Sequence, residues 1–265
     1  GEAFLDDLNG FFALAIHDAE RDELLIARDR FGVKPLWYCE QHGQLLFASE
    51  LRAVEALGAR GPIDRHSLAQ YFTFHFIPAP YSVLNSLRKL EPGELLRASV
   101  AGVVRERWYD LPKAVKRVPP APDPVTRIQE LMDDAVRARL VADVPVGTFL
   151  SGGLDSSIVS AIARRHKSDL HTFSIGYADD PFFDESDHAE EVARHIGSQH
   201  HTFKLTREDL AENYVRLLDA LDEPFADSSA LPSFILCERT RRSVTVALSG
   251  DGADEVFGGY TRHQA

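Results

Sequence analysis

Ser151-Gly152-Gly153-Leu154-Asp155-Ser156-Ser157 decides how the second half of this 265-residue chain folds. Before it, residues 144–150 form a short apolar run, the mark of a buried strand; after it, Ile158, Ala161 and Ile162 recur at helical spacing. A chain that turns from strand to helix points free backbone N–H groups at whatever lies beyond the helix start, and these favour an anion. Paired glycines let the main chain come close to a phosphate, and the hydroxyls of Ser151, Ser156 and Ser157 add donors. No lysine follows the glycines, so the Walker pattern is excluded. Asp155 stands where such a loop would carry its cation, which suits a phosphate only with a metal ion between them. Two glycines and a serine also make a plain turn; the aspartate, the flanking elements and a second acidic loop favour the phosphate.

Outward from this loop, strands alternate with helices. Val125, Ile128, Leu131, Met132, Ala135, Val136 and Leu140 mark one face of a preceding helix. Strands are expected at 171–175, 201–205 and 244–248, with helices at 185–196, 208–221 and 231–242, a pattern that predicts a parallel sheet covered on both faces. Thr206 and Asp209 have the spacing of a capping box, and Leu210, Tyr214, Leu217, Leu218 and Leu221 give that helix a core face. The last strand runs into Ser249-Gly250-Asp251-Gly252-Ala253-Asp254-Glu255. Loops at the carboxyl ends of parallel strands share one edge, so this loop is expected to face the Ser151 loop across a ligand crevice. At about 5 Å and an effective dielectric near 20, each carboxylate repels a phosphate charge by roughly 3 kcal/mol. Magnesium, typically held by one or two carboxylates and phosphate oxygens, would offset this, with Asp155 and Asp254 as candidate ligands. Loops of the form Asp-Gly-x-Asp also occur as solvated turns or calcium sites.

The first half has a different texture. Apolar runs at 11–16 and 23–27 flank a polar turn, and runs at 36–39 and 45–48 flank Gln41-His42-Gly43, so two antiparallel hairpins are expected. Between them lies Ala27-Arg28-Asp29-Arg30-Phe31-Gly32-Val33-Lys34-Pro35-Leu36, which by itself could be a solvated turn. A short helix at 65–71, a Pro92-Gly93 turn and a strand pair ending at Tyr109 follow. Five prolines mark 112–124 as a linker.

Acidic residues outnumber basic ones by 41 to 29, giving a net charge of -12, which argues against nucleic-acid and anionic-membrane partners. No apolar run approaches a membrane span and no secretory signal opens the chain, so a cytoplasmic location is expected. Cys39 and Cys237 form no disulfide framework or zinc pattern and read as small buried apolar residues. The acidic run Asp184-Glu185-Ser186-Asp187-His188 reads as a helix start favoured by its dipole. His200 and His201 are adjacent on a strand and so point to opposite faces.

The Ser151 loop resembles the pyrophosphate loop of the N-type ATP pyrophosphatases, whose SGGxDS pattern it matches at every position. Residues 249–255, with 4–13, 27–36 and 47–51, resemble the asparagine synthetases. This resemblance implies a two-domain fold, α+β then α/β. Residues 1–111 would be the C-terminal half of a class II (Ntn-type) glutamine amidotransferase domain built of antiparallel sheets, 112–124 a linker, and 125–265 the N-terminal half of a parallel-sheet synthetase domain. It implies ATP and Mg²⁺ as cofactors. Leu150, Ser151, Gly152, Gly153, Asp155, Ser156, Ser157, Ile175, Ser249 and Gly250 would contact nucleotide or pyrophosphate, Asp155 and Asp254 would hold magnesium, and Asp251, where many relatives have Glu, would support the adenylated intermediate. The implied activity is that of a ligase: aspartate is adenylated to β-aspartyl-AMP with release of pyrophosphate, and glutamine-derived ammonia then displaces AMP. A β-lactam synthetase or another amidotransferase of the family would differ in the acceptor, and a non-catalytic nucleotide-binding protein is the alternative from another class. Aspartate, glutamine and ATP are the expected small-molecule partners, with a homodimer for the complete protein. Residues 222–229 resemble a segment near the acceptor pocket. The family's N-terminal nucleophilic cysteine and its ammonia-step lysine have no match here, so the expectation is an internal piece that alone does not hydrolyse glutamine.

Overall fold

The computed structural model describes residues 2–116 and 118–260. Contacts divide the chain into two compact units, one of residues 1–119 with 219–227 and one of 120–218 with 228–265.

The first unit contains α1 (Phe4–Asp7), β1 (Ala13–Asp18), β2 (Glu23–Arg28), β3 (Trp37–Gln41), β4 (Gln44–Ala48), α2 (Leu51–Ala56), α3 (Arg65–Phe74), β5 (Arg88–Lys89), β6 (Glu94–Ser99), β7 (Gly102–Arg107) and α4 (Leu111–Val115). Both expected hairpins form, but they enter different antiparallel sheets, ordered β1-β2-β6-β7 and β4-β3-β5. Cys39 is buried as expected, beside Trp37, Leu51, Val54 and Leu87. The proline-rich stretch is not wholly extended: Asp110 caps α4 through the Lys113 amide, and Pro112 sits in the first turn, where its missing N–H is no loss.

The charged loop between the hairpins is no solvated turn. Asp29 is 1% exposed, and its carboxylate accepts four backbone N–H groups, from Phe12 (3.3 Å), Phe31 (3.1 Å), Val33 (3.0 Å) and Lys34 (2.9 Å). The Arg28 guanidinium donates to the carbonyls of Lys34, Gly32 and Leu90. Arg30 stacks over Trp108 and Tyr109, at 5.2 and 5.3 Å from the ring centres.

Residues 219–227 join this unit through side chains of opposite sign and capping contacts. Glu223 pairs with Lys89 at 2.5 Å and accepts from the Val83 amide at 2.7 Å; Asp222 accepts from the Leu51 amide at the start of α2 at 2.9 Å. The Ala226 amide donates to the His75 carbonyl.

The second unit contains α5 (Pro124–Arg139), β8 (Val146–Phe149), α6 (Leu154–His166), β9 (His171–Tyr177), α7 (Ser186–Ile196), β10 (Gln199–Leu205), α8 (Arg207–Ala220), α9 (Ala230–Thr240), β11 (Val246–Leu248) and α10 (Ala253–Phe257). Its four strands are all parallel, in the order β10-β9-β8-β11. The chain therefore steps outward from β8 to β10 and then returns to the other side of β8, which puts a reversal of strand order between β8 and β11. Met132, Val136 and Leu140 of α5 pack against Ile162, Ala163 and Leu170. Val125, Ile128 and Leu131, expected on that face, are exposed because the packing partners begin only with Met132, and Ala135, also expected there, is exposed as well. On α8, Leu217 is buried while Tyr214 and Leu218 are exposed, and Asn213 takes a buried place by donating to the Asp209 carbonyl. The capping box forms in both directions, Thr206 N–H to Asp209 and Asp209 N–H to the Thr206 hydroxyl. His200 bonds Thr172 and Ser174, whereas His201 stacks on His171 and Phe173, so the two imidazoles do lie on opposite faces. Among the described residues no helix is long and apolar enough to cross a membrane.

Replacing Asp29 by alanine leaves four amide donors without their acceptor. The expected loss is about 3 kcal/mol of stability, read as a lower midpoint in denaturant unfolding, with Asp29→Asn recovering part of it.

Candidate functional site

The strand-order reversal is where an open parallel sheet opens a crevice, and both loops singled out from the sequence sit there. The Ser151 loop leaves β8 and starts α6; the Ser249 loop leaves β11 and starts α10. Within the first loop the hydroxyls knit the turn: Ser151 Oγ lies 3.0 Å from Ser156 Oγ, which also accepts from the Ser151 amide at 3.2 Å, and the Gly153 amide donates to Ser151 Oγ at 3.3 Å. Gly152 has φ +88°, and a Cβ there would stand 2.7 Å from His188 Cβ and 2.8 Å from the Ala189 amide nitrogen, so only glycine lets this loop rest on the first turn of α7.

The two loops touch. A Cβ on Gly250 would lie 2.9 Å from Asp155 Cβ and 2.9 Å from the Ser156 amide nitrogen. In the second loop Ser249 Oγ donates to Asp251 Oδ2 at 2.8 Å. Tyr260 donates to Glu255 at 2.8 Å.

A cavity of about 650 Å³ lies between the loops. It is lined by Ser151, Gly153, Asp155 and Ser156 from one side and by Ser249, Gly250, Asp251, Asp254 and Glu255 from the other. Asp155 and Asp254 each occupy the first turn of their helix. Among the described residues neither lysine nor arginine lines the cavity. Among the described residues no three of His, Cys, Asp and Glu form a metal cluster by themselves. Two carboxylates with room beside them fit an ion that completes its shell with ligand oxygens and water, as magnesium does. An adjoining cavity of about 240 Å³ shares Ser151 and is lined by Leu150, Ile175, Phe183 and Glu185. Gly152 and Ser157 line neither. Ser157 Oγ is enclosed without a hydrogen-bond partner, and Gly152 faces α7.

Cys237 was expected to be buried and is exposed. It lines the larger cavity with Ser233 and Leu236. Their spacing on α9 is that of one helical face, and that spacing, legible in the sequence, is the signal that could have found them. The run at 184–188 has a specific partner beyond the helix dipole: Lys204 pairs with Asp184, whose carboxyl the Lys204 and Ser186 hydrogen bonds hold down at about 2.

Antiparallel sheets followed by a parallel sheet with these loops at its switch point define a two-domain protein of the Ntn plus N-type ATP pyrophosphatase architecture. The asparagine synthase family matches residues 127–265, and the glutamine amidotransferase domain family matches residues 1–109. The chain belongs to the asparagine synthase family. It is 38% identical over 267 residues to the putative glutamine-hydrolysing asparagine synthetase 2 of Methanocaldococcus jannaschii, covering 97% of this chain and 51% of that protein. Asparagine synthetase 1 of Bacillus subtilis is 35% identical, with 96% and 40% covered, and asparagine synthetase B of Escherichia coli is 33% identical, with 98% and 45% covered. The chain thus spans about half, or less, of the length of these relatives.

Gly250→Ala forces a methyl group into the contact with Asp155 and the Ser156 amide. The protein should still fold but lose about 1–3 kcal/mol, measured as a lower melting temperature; an unchanged melting temperature would mean that the loops are not in contact.

Proposed function

We propose that the full-length protein is a glutamine-dependent asparagine synthetase, and that this chain supplies its ATP-adenylating crevice. In this reading 1–111 is the C-terminal half of the glutaminase domain, 112–124 the linker and 125–265 the N-terminal half of the synthetase domain. Membership of the asparagine synthase family supports the use of ATP, and the printed names of the relatives support glutamine as nitrogen source. The observation that carries the reading is the shared cavity, in which the glycine-serine loop at the start of α6 faces the acidic loop of Asp251 and Asp254, with Asp155 in the same lining and, among the described residues, no lysine or arginine.

The Ser151 loop and the start of α6 would hold the β- and γ-phosphates, and Leu150, Ile175 and the Gly250 backbone would border the nucleoside. Asp155 and Asp254 would hold Mg²⁺, which when bound neutralises phosphate charge and makes pyrophosphate a better leaving group. Attack of the aspartate carboxylate on the α-phosphorus forms β-aspartyl-AMP and expels pyrophosphate; ammonia then displaces AMP. The chain's own contribution is charge placement and orientation. Asp251, engaged by the Ser249 hydroxyl, would act on the intermediate, not on the metal. The same reading makes the protein a cytoplasmic homodimer with small-molecule substrates and neither nucleic-acid nor membrane partners, in keeping with a net charge of -12.

ATP–pyrophosphate exchange by the full-length protein tests the crevice. Asp155→Asn should slow aspartate-dependent exchange more than tenfold while the protein stays folded; exchange at the wild-type rate would remove the assignment of the loop. The two acidic roles separate in a magnesium titration. Asp254→Ala should raise the magnesium needed for nucleotide binding severalfold, and Asp251→Ala should leave that titration in place while slowing formation of the adenylate. Identical titrations and identical rate losses in both variants would show that the carboxylates share one task.

A further inference from the structure

The phosphate loop rests on the first turn of α7, and that turn is itself fastened to β10. Gly152 lies against His188 and Ala189 in that helix's first turn, close enough that a Cβ would overlap their backbone. Residues 186 and 189 of the same turn are buried. Just before the turn, Asp184 Oδ1 accepts from the Ser186 amide at 3.1 Å, occupying one of the helix's free donors. Its other oxygen pairs with Lys204 of β10, and the same ammonium reaches Ser186 Oγ at 2.6 Å. Lys204 crosses its register partner Gly176 on β9 to make these contacts. A side chain at 176 would close the passage, because its Cβ would stand 2.7 Å from both Asp184 Oδ1 and Lys204 Cδ. The pair is partly sheltered, with Asp184 17% and Lys204 44% exposed.

We propose that Lys204 and Asp184 are positioning residues for the phosphate loop: the ion pair fixes the first turn of α7, and that turn is the floor on which Gly152 sets the loop's backbone donors. The inference rests on the ATP-site reading of the crevice. Neither residue lines the acidic cavity, so the pair acts on the ligand only through Ser186, the α7 backbone and Gly152. Two features follow from the geometry. Loss of the ion pair loosens the loop without removing any phosphate contact, which weakens nucleotide binding more than it slows chemistry. And because the Asp184 carboxyl is held at about 2, the contribution of the pair is complete above the ordinary carboxyl value of 3.8 and is lost only as pH falls through about 2, so it adds no pH dependence in the neutral range.

The test uses the full-length protein with Asp184→Asn, which keeps the acceptor for the Ser186 amide and removes only the charge, together with Lys204→Met and Lys204→Arg. ATP–pyrophosphate exchange gives KM for MgATP and kcat, and amide hydrogen exchange follows residues 151–157 without nucleotide. The expected result is a rise in KM of about tenfold with kcat within about twofold in Asp184→Asn and Lys204→Met, substantial recovery in Lys204→Arg, and faster exchange in the loop. Unchanged KM and unchanged loop exchange in folded Asp184→Asn would overturn the proposal, as would a fall in kcat with KM constant. Should Lys204→Met fail to fold, Asp184→Asn decides alone. If the wild-type protein itself binds no MgATP, the ATP reading fails, and the loop-exchange comparison still decides whether the pair positions the loop.

Discussion

The crevice of the second unit depends on two loops being allowed to touch. Peptide backbones pack this closely only where a side chain is missing, and Gly250 removes the one that would separate the Ser249 loop from Asp155 and Ser156. The contact brings two helix starts and several carboxylates to one cavity. Helix starts attract anions and carboxylates attract cations, so under the proposed function the cavity would take both at once, a phosphate and its metal. In that reading the metal would screen the phosphate from the acidic wall, and the phosphate would supply oxygens of the metal's shell.

The first unit is organised by the opposite use of a carboxylate. Asp29 is removed from solvent and spends its lone pairs on four amides of its own chain, so its charge shapes a loop and is not offered to a ligand. Arg28 does the converse, donating to two carbonyls of the same turn, Gly32 and Lys34, and to the distant Leu90 carbonyl. Asp29 and Asp155 are thus the same residue type in two environments. One is enclosed and satisfied internally, while the other lines a cavity and remains available.

The parallel order of the second sheet was legible because alternation of strand and helix permits few other arrangements, and the crevice followed from the position of the two loops after β8 and β11. Local chemistry with a fixed spacing was equally readable, as in the capping box of Thr206 and Asp209. What the sequence concealed depends on distant partners. The apolar period of α5 runs through Val125, Ile128 and Leu131, yet only the later turns meet a core, because periodicity reports a face and not what covers it. Cys237 was misplaced for the same reason, since its side of α9 faces a cavity and not a neighbour. The Asp184–Lys204 pair joins residues 20 positions apart on different elements, and no local rule links them. Segment 222–229 resembled a piece of a binding pocket, and only the fold revealed Glu223 on Lys89 and Asp222 capping α2.

That last arrangement bears on the order in which the polypeptide can be completed. Residues 219–227 supply the partner of Lys89 and the cap of α2, so the first unit lacks part of its structure until a stretch made roughly a hundred residues later has left the ribosome. Synthesis proceeds from the N-terminus at about 5–20 residues per second, which leaves the half-finished unit waiting several seconds with Lys89 unpaired and the amide at the start of α2 uncapped. In sequence the excursion lies between α8 and α9. Loop-closure entropy makes so distant a contact slow to form compared with the hairpins around it. The first unit is therefore completed only after most of the second has been synthesised, and a ribosome pausing within α8 would leave a first unit still missing its clasp.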